Sequence, residues 1–153
     1  MTYVSTLLAV RDMARSRQFY HDVLGLEVTA DFGANVVLSG GISLQTADTW
    51  RDFIQTDALT FRHNTGELYF EEPDMDGFLR RLADLEVEFV HPLAEHRWGQ
   101  RVVRFRDPDG HILEVGEEMS VVARRFRDSG MTDEQVAARM DVPPDYVKRL
   151  LAP

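Results

Sequence analysis

Two stretches of the chain, sixty-two residues apart, open alike and continue alike. Asp12-Met13 leads a segment in which Ser16, Phe19, Tyr20, Val23 and Leu24 recur at helical spacing until Gly25 stops it. Asp74-Met75 leads another, with Met75, Phe78, Leu79 and Leu82 on one face. Each Asp is placed to accept hydrogen bonds from the unpaired amides of a first helical turn. Each helix then runs into a matching strand start, Leu26-Glu27-Val28 or Leu85-Glu86-Val87. Strand-like runs surround the first helix at 3–10, 26–29, 35–39 and 42–46, and the second at 67–70, 88–90, 101–105 and 112–115. Gly40-Gly41 and Asp107-Pro108-Asp109-Gly110 are turn sequences that join the last two strands of each set. Both copies therefore read β-α-β-β-β. The expected class is α+β, with neither copy large enough to bury a core alone.

Charge marks where the duplication ends. Residues 1–119 carry 11 Arg against 21 Asp and Glu, a net −10, whereas residues 120–153 hold 6 basic and 5 acidic side chains. The expected organisation is a body over 1–118, made of modules 1–46 and 66–118 with a linker at 47–65, followed by a helical extension over 119–153. Trp50, Phe53 and Phe61 in the linker are expected to pack on the body. The chain has no cysteine, which excludes disulfides, thiolate metal sites and thiol nucleophiles. A net charge of −9 argues against a protein that coats nucleic acid or anionic membrane. No leader-like start and no long apolar run is present, so a cytoplasmic protein with no membrane partner is expected.

Equivalent positions of a duplicated unit single out four polar residues. Seven residues before the Asp-Met pair stand Ser5 and Glu67, and four after the hairpin glycine stand Gln45 and Glu114. These residues sit within a wider pattern. Val10-Arg11-Asp12-Met13, Ser16, Phe19-Tyr20, Leu24-Gly25-Leu26, and Arg104-Phe105 through Asp107-Pro108-Asp109-Gly110-His111-Ile112-Leu113-Glu114-Val115 resemble the vicinal oxygen chelate superfamily of glyoxalases, bleomycin-resistance proteins and extradiol dioxygenases. The resemblance spans roughly residues 3–118. It implies paired βαβββ modules forming a curled mixed sheet, a cup, with a divalent metal held at the positions of Ser5, Gln45, Glu67 and Glu114. Ser5 and Gln45 are poor ligands, Glu114 fits the family's set and Glu67 some of its variants; Gln45, Glu67 and Glu114 form the candidate metal set, for Mg²⁺, Mn²⁺, Ni²⁺ or Zn²⁺. Two carboxylates and an amide without histidine suit the harder ions best. The alternative is a metal-free cup in which Glu67 and Glu114 pair with an arginine or share a proton. Either way Glu67 and Glu114 are the candidate catalytic pair.

His63, Trp98, Arg101 and Phe105 are the candidate substrate-binding residues. His63 lies just before the Glu67 strand. Trp98 and Arg101 flank Gly99 in a segment placed to act as a lid or as a plug for the sheet. Arg101, Arg104 and Arg106 have mixed strand parity, so they cannot all face one ligand and are read as answers to the acidic excess. His21 and His91 carry no ligand spacing.

The extension reads as three helical pieces. Gly130 breaks the first, Thr132-Asp133-Glu134-Gln135 is a capping box for the second, and Pro143-Pro144 begin the third. The pattern from Met131 to Val147 resembles a helix-turn-helix. Lys148 and Arg149 fall at the wrong end of its second helix for reading bases, which weighs against nucleic acid. Packing on the body or on a second subunit of a homodimer is expected instead.

Three readings follow. One is a glyoxalase-like protein binding a small molecule, with divalent-metal lyase or isomerase chemistry implied by the resemblance. A second is a metal-free binding or drug-sequestering protein. The third is a ligand-sensing module acting through its helix-turn-helix-like tail. Dioxygenase chemistry ranks last, because a non-haem iron site wants two histidines and a carboxylate.

Overall fold

In the computed structural model, which describes residues 1–152, the repeat appears as two four-stranded sheets. The first copy comprises β1 (Thr6–Val10), α1 (Met13–Leu24), β2 (Val28–Asp31), β3 (Asn35–Leu38) and β4 (Ile42–Thr46). After α2 (Ala47–Ile54) the second comprises β5 (Glu67–Glu72), α3 (Met75–Ala83), β6 (Glu88–Glu95), β7 (Arg101–Arg106) and β8 (Ile112–Glu117). The strand orders are β1-β4-β3-β2 and β5-β8-β7-β6, the same path drawn twice. In the first sheet β1 runs parallel to β4, while β3 is antiparallel to β4 and β2. Neither sheet closes on itself, and the α+β class with paired βαβββ modules is the one observed.

Local chemistry sets the helix ends. The Asp12 carboxylate accepts from the Arg15 amide and Asp74 from the Gly77 amide, as the repeat implies. Gly25 closes α1 in the left-handed region at φ 67°, where a side chain is disfavoured. The first eight residues of the linker form α2. That helix buries only Ala47, so it gave little apolar signal. Phe53 stays 65% exposed, contrary to the packing expected of it, while Trp50 and Phe61 are half-buried.

The chain packs as two compact units. One is Met1–Gly66 together with Arg106–Ile112, and the other is Glu67–Phe105 together with the chain from Leu113 onward. The first unit buries Val10, Tyr20, Val36 and Leu44 completely. Its inserted turn is locked by two aspartates. Asp107 accepts from the amides of Asp109 and His111 at 2.9 and 2.8 Å and from the Tyr20 hydroxyl at 2.8 Å. Asp109 accepts from the Arg11 amide at 3.2 Å and from the Ser16 hydroxyl at 3.4 Å. Burial, then Asp107, pushes the Tyr20 phenol well above its usual range. The Asp-Pro-Asp-Gly turn is thus a fastening for α1.

The second unit buries Met75, Phe78, Val103, Phe105 and Leu113 around its sheet. It continues into α4 (Met119–Asp128), α5 (Asp133–Met140) and α6 (Pro144–Leu151), which share a core of Val122, Phe126, Val136, Met140 and Val147. The Thr132 capping box is present, with both reciprocal hydrogen bonds made. Glu117, 1% exposed at its side chain, pairs with Arg101 of β7 at 2.9 Å and Arg125 of α4 at 3.0 Å. Burial raises its carboxyl, but these two guanidiniums outweigh burial and hold it below its usual range. Among the described residues no helix is long and apolar enough to cross a membrane.

Candidate functional site

Each strand of the second sheet contributes one polar side chain to a single constellation. Following the strand order β5-β8-β7-β6, these are Glu67, Glu114, Arg104 and His91. Arg104 is the hub. Its Nε donates to Glu67 Oε2 at 2.8 Å and a terminal nitrogen donates to Glu67 Oε1 at 3.4 Å, a two-pronged contact with one carboxylate. The same guanidinium contacts the Glu114 carboxylate. Its other terminal nitrogen donates to His91 Nε2 at 3.1 Å. An arginine can only donate, so His91 Nε2 is the accepting nitrogen and Nδ1 carries the proton, which is directed at Pro92 O at 2.7 Å.

Exposure is graded across this row. Glu114 is nearly enclosed at 6%, Arg104 is 24% exposed and Glu67 36% exposed. The enclosed carboxylate is therefore neutralised by a cation supplied by the chain, and the more open carboxylate faces solvent beside it. This chemistry does not fit a resident divalent metal. A guanidinium already lies between the two acids, and the accepting nitrogen of His91 is spent on it. Among the described residues no group of three or more His, Asp or Glu is arranged to hold a metal ion.

Gln45 belongs to the first unit. Its Oε1 accepts from Asn35 Nδ2 at 2.9 Å and its Nε2 donates to the Thr49 hydroxyl. Ser5 is hydrogen-bonded to Ser43 at 3.1 Å. His63, also in the first unit, stands edge-on to His111 with ring centroids 5.7 Å apart. In the second unit Arg101 is divided between Asp76 at 2.7 Å and Glu117 at 2.9 Å, and the Glu117 hydrogen bond raises its already high pKa. Phe105 has no exposed surface and its ring lies 6.3 Å from that of Phe78. Trp98 lies in the β6–β7 turn, stacked 4.2 Å from His96 and donating to Gln100 Oε1 at 3.1 Å.

The structure thus joins Glu67 to Glu114 and adds Arg104, which the sequence reads as a charge balancer, and His91, which it singles out for no ligand. The signal for Arg104 lay in the repeat. Asn35 and Arg104 each stand six residues before the hairpin glycine of their copy, so the offset that matches Gln45 with Glu114 also matches their partners.

With this geometry in view, a glyoxalase-like domain model matches residues 3–120 of the chain. Among solved structures, a protein of unknown function from Agrobacterium tumefaciens is 39% identical, with 77% of this chain and 94% of that chain covered and a TM-score of 0.70. A member of the glyoxalase/bleomycin resistance protein/dioxygenase superfamily from Sphaerobacter thermophilus is 27% identical, covering 77% of this chain and 98% of its own, with a TM-score of 0.60. A lactoylglutathione lyase from Agrobacterium tumefaciens is 26% identical, covering 75% of this chain and 92% of its own, with a TM-score of 0.56. No curated protein matches the chain.

Proposed function

Because this chain belongs to the glyoxalase-like family, we propose that it binds a small molecule at the Glu67–Arg104–Glu114 row without a resident divalent metal, as a binding or sequestering protein. One observation carries the reading: the Arg104 guanidinium contacts both acidic side chains. A divalent ion would need those same oxygens, and bringing it beside a fixed guanidinium costs like-charge repulsion in a poorly solvated place. With one cation between two carboxylates, the row has an acceptor surplus. Glu67 is the partly exposed member, so we assign it to accept hydrogen bonds from a ligand while Arg104 donates to a ligand oxygen. Glu114 and His91 act as positioning residues that fix the guanidinium plane. Arg101 and Phe105 support the sheet behind the row. The setting we propose is a cytoplasmic homodimer.

A metal-dependent lyase or isomerase is the second reading, and the likeness to a lactoylglutathione lyase favours it. Calorimetry on stripped protein with Mn²⁺, Ni²⁺ and Zn²⁺ separates the two. No saturable binding is expected for the native chain, whereas Arg104→Ala, which leaves two unneutralised carboxylates, gains affinity for Mn²⁺. Saturable binding by the native chain that is lost in Glu114→Gln would overturn the metal-free reading.

A further inference from the structure

The three helices from Met119 onward lie almost wholly beyond the matched domain, which ends at residue 120, yet they build a recess of their own. It has a volume of about 460 Å³, within the roughly 300–1,000 Å³ usual for small-molecule pockets. All of its walls belong to the second unit. Trp98 comes from the β6–β7 turn, Met119 from the start of α4, Met140 from the end of α5, and Pro143, Tyr146 and Arg149 from the α5–α6 joint and α6. None of these residues belongs to the Glu67–Arg104–Glu114 row.

The recess is preformed because its two sides are bolted together. Gly99 adopts φ 89°, and a Cβ there would come within 2.2 Å of the Phe126 ring, so the turn lies directly on α4. Arg125 donates to Gly99 O at 2.6 Å, and Arg139 donates to Arg97 O. Arg97 pairs with Asp141 at 2.8 Å across the mouth, and Arg139 pairs with Glu95 at 3.3 Å. The indole of Trp98 is held by His96 and Gln100 before any ligand arrives. Such fixed walls reduce the entropy lost on binding.

The lining identifies the kind of ligand. Two aromatic rings, a proline and the partly exposed Met119 offer flat and adaptable apolar surface. The charges at the rim do not cancel. Arg97 is neutralised by Asp141, and nearby Lys148 by Asp145 at 3.3 Å. Arg149 has no carboxylate partner among the described residues and lies over the Tyr146 ring, 5.5 Å from its centroid. We infer that this recess binds a planar aromatic carboxylate, its rings against Trp98 and Met119 and its carboxylate on Arg149.

The inference is tested with 2-naphthoate and its uncharged counterpart 2-naphthamide, titrated by calorimetry and by tryptophan fluorescence in a Trp50→Phe background that leaves Trp98 as the reporter. Naphthoate is expected to quench Trp98 and to bind about tenfold tighter than the amide, the size of one charge-assisted hydrogen bond. Arg149→Ala is expected to remove that preference while leaving the amide unchanged, and Trp98→Ala to weaken both probes. Arg149 is exposed, so its variants should keep the native melting temperature, and Arg149→Gln repeats the test if alanine does not. Three results would overturn the inference: neither probe saturating, the two probes binding alike, or Arg149→Ala leaving naphthoate affinity unchanged.

Discussion

The same two strand positions are filled by amides in one copy of the repeat and by charges in the other. Asn35 donates to Gln45 on β3 and β4, and Arg104 contacts Glu114 on β7 and β8. Both solve one problem, a polar pair half enclosed on a sheet, because a buried donor or acceptor left unmade is costly. The amide pair solves it with no net charge and no dependence on ionic conditions. The charged pair makes stronger hydrogen bonds, but it leaves each partner expensive without the other. A duplicated fold thus keeps its backbone plan while one copy takes on charge, and the charged copy is where ligand chemistry is sought.

The largest test breaks the charged pair. Arg104→Ala strands Glu114, 6% exposed, beside Glu67, and is expected to cost about 3 kcal/mol in urea unfolding. Replacing both partners, Arg104→Gln with Glu114→Gln, rebuilds the amide pair of the other copy and is expected to recover most of that loss. A single-variant cost below about 1 kcal/mol, the range of exposed pairs, would show that the row is not the electrostatic hub of its unit.

How far these features can be read from sequence follows from how local they are. Helix caps at Asp12, Asp74 and Thr132 and stops at Gly25 and Gly130 depend on residues within one turn, so spacing reveals them. That the two sheets share one strand order follows from the repeat. Glu67 and Glu114 were visible for the same reason, as equivalent positions, and the same offset matches Arg104 with Asn35, but nothing in the sequence says that Arg104 pairs with both acids. Arg104 looked like one of three arginines of mixed parity, and only the placement of β7 beside β8 puts its guanidinium within reach of both acids. Glu117 is hidden for a related reason. Nothing near it in sequence announces that β8 will present it to Arg101 and Arg125 from two other elements. The recess at Trp98 depends on helices docking on a turn that lies 42 residues from Arg139 along the chain.

Acid should separate the units in opposite directions, a smaller effect than stranding Glu114. In the second unit Glu117 is held below its usual range by Arg101 and Arg125, although burial opposes them. The unfolded chain then takes up its proton first, so the stabilisation is present above the ordinary glutamate value and lost as pH falls through the lowered one. His96, lowered chiefly by burial and then by Arg104, adds to this, because protonation below its usual 6.5 favours the unfolded chain. In the first unit Asp109 is raised by burial, with the Arg11 amide opposing and Asp107 adding to the rise. Its contribution is greatest when protonated and fades as pH rises through the raised value. Hydrogen exchange between pH 6 and pH 3, read by unit, is expected to show protection lost first in the second unit. In Glu117→Gln, itself destabilising by about 2 kcal/mol because both arginines can turn to solvent, that acid sensitivity is expected to shrink.

The smallest effect belongs to the amide pair. Asn35→Ala removes the donor to Gln45 Oε1 at 2.9 Å and a second hydrogen bond to Leu44 O at 3.3 Å. Gln45 is 3% exposed, but its Nε2 keeps the Thr49 hydroxyl, so only one of its polar atoms loses a partner. The expected cost is about 1 kcal/mol, and it should not change between low and high salt, since no ion is involved. Arg104→Ala measured in the same two buffers should differ, because salt screens the repulsion between Glu67 and Glu114. Equal salt responses from the two variants would mean that charge is incidental to the second copy and that both pairs act as simple hydrogen-bond partners on a sheet.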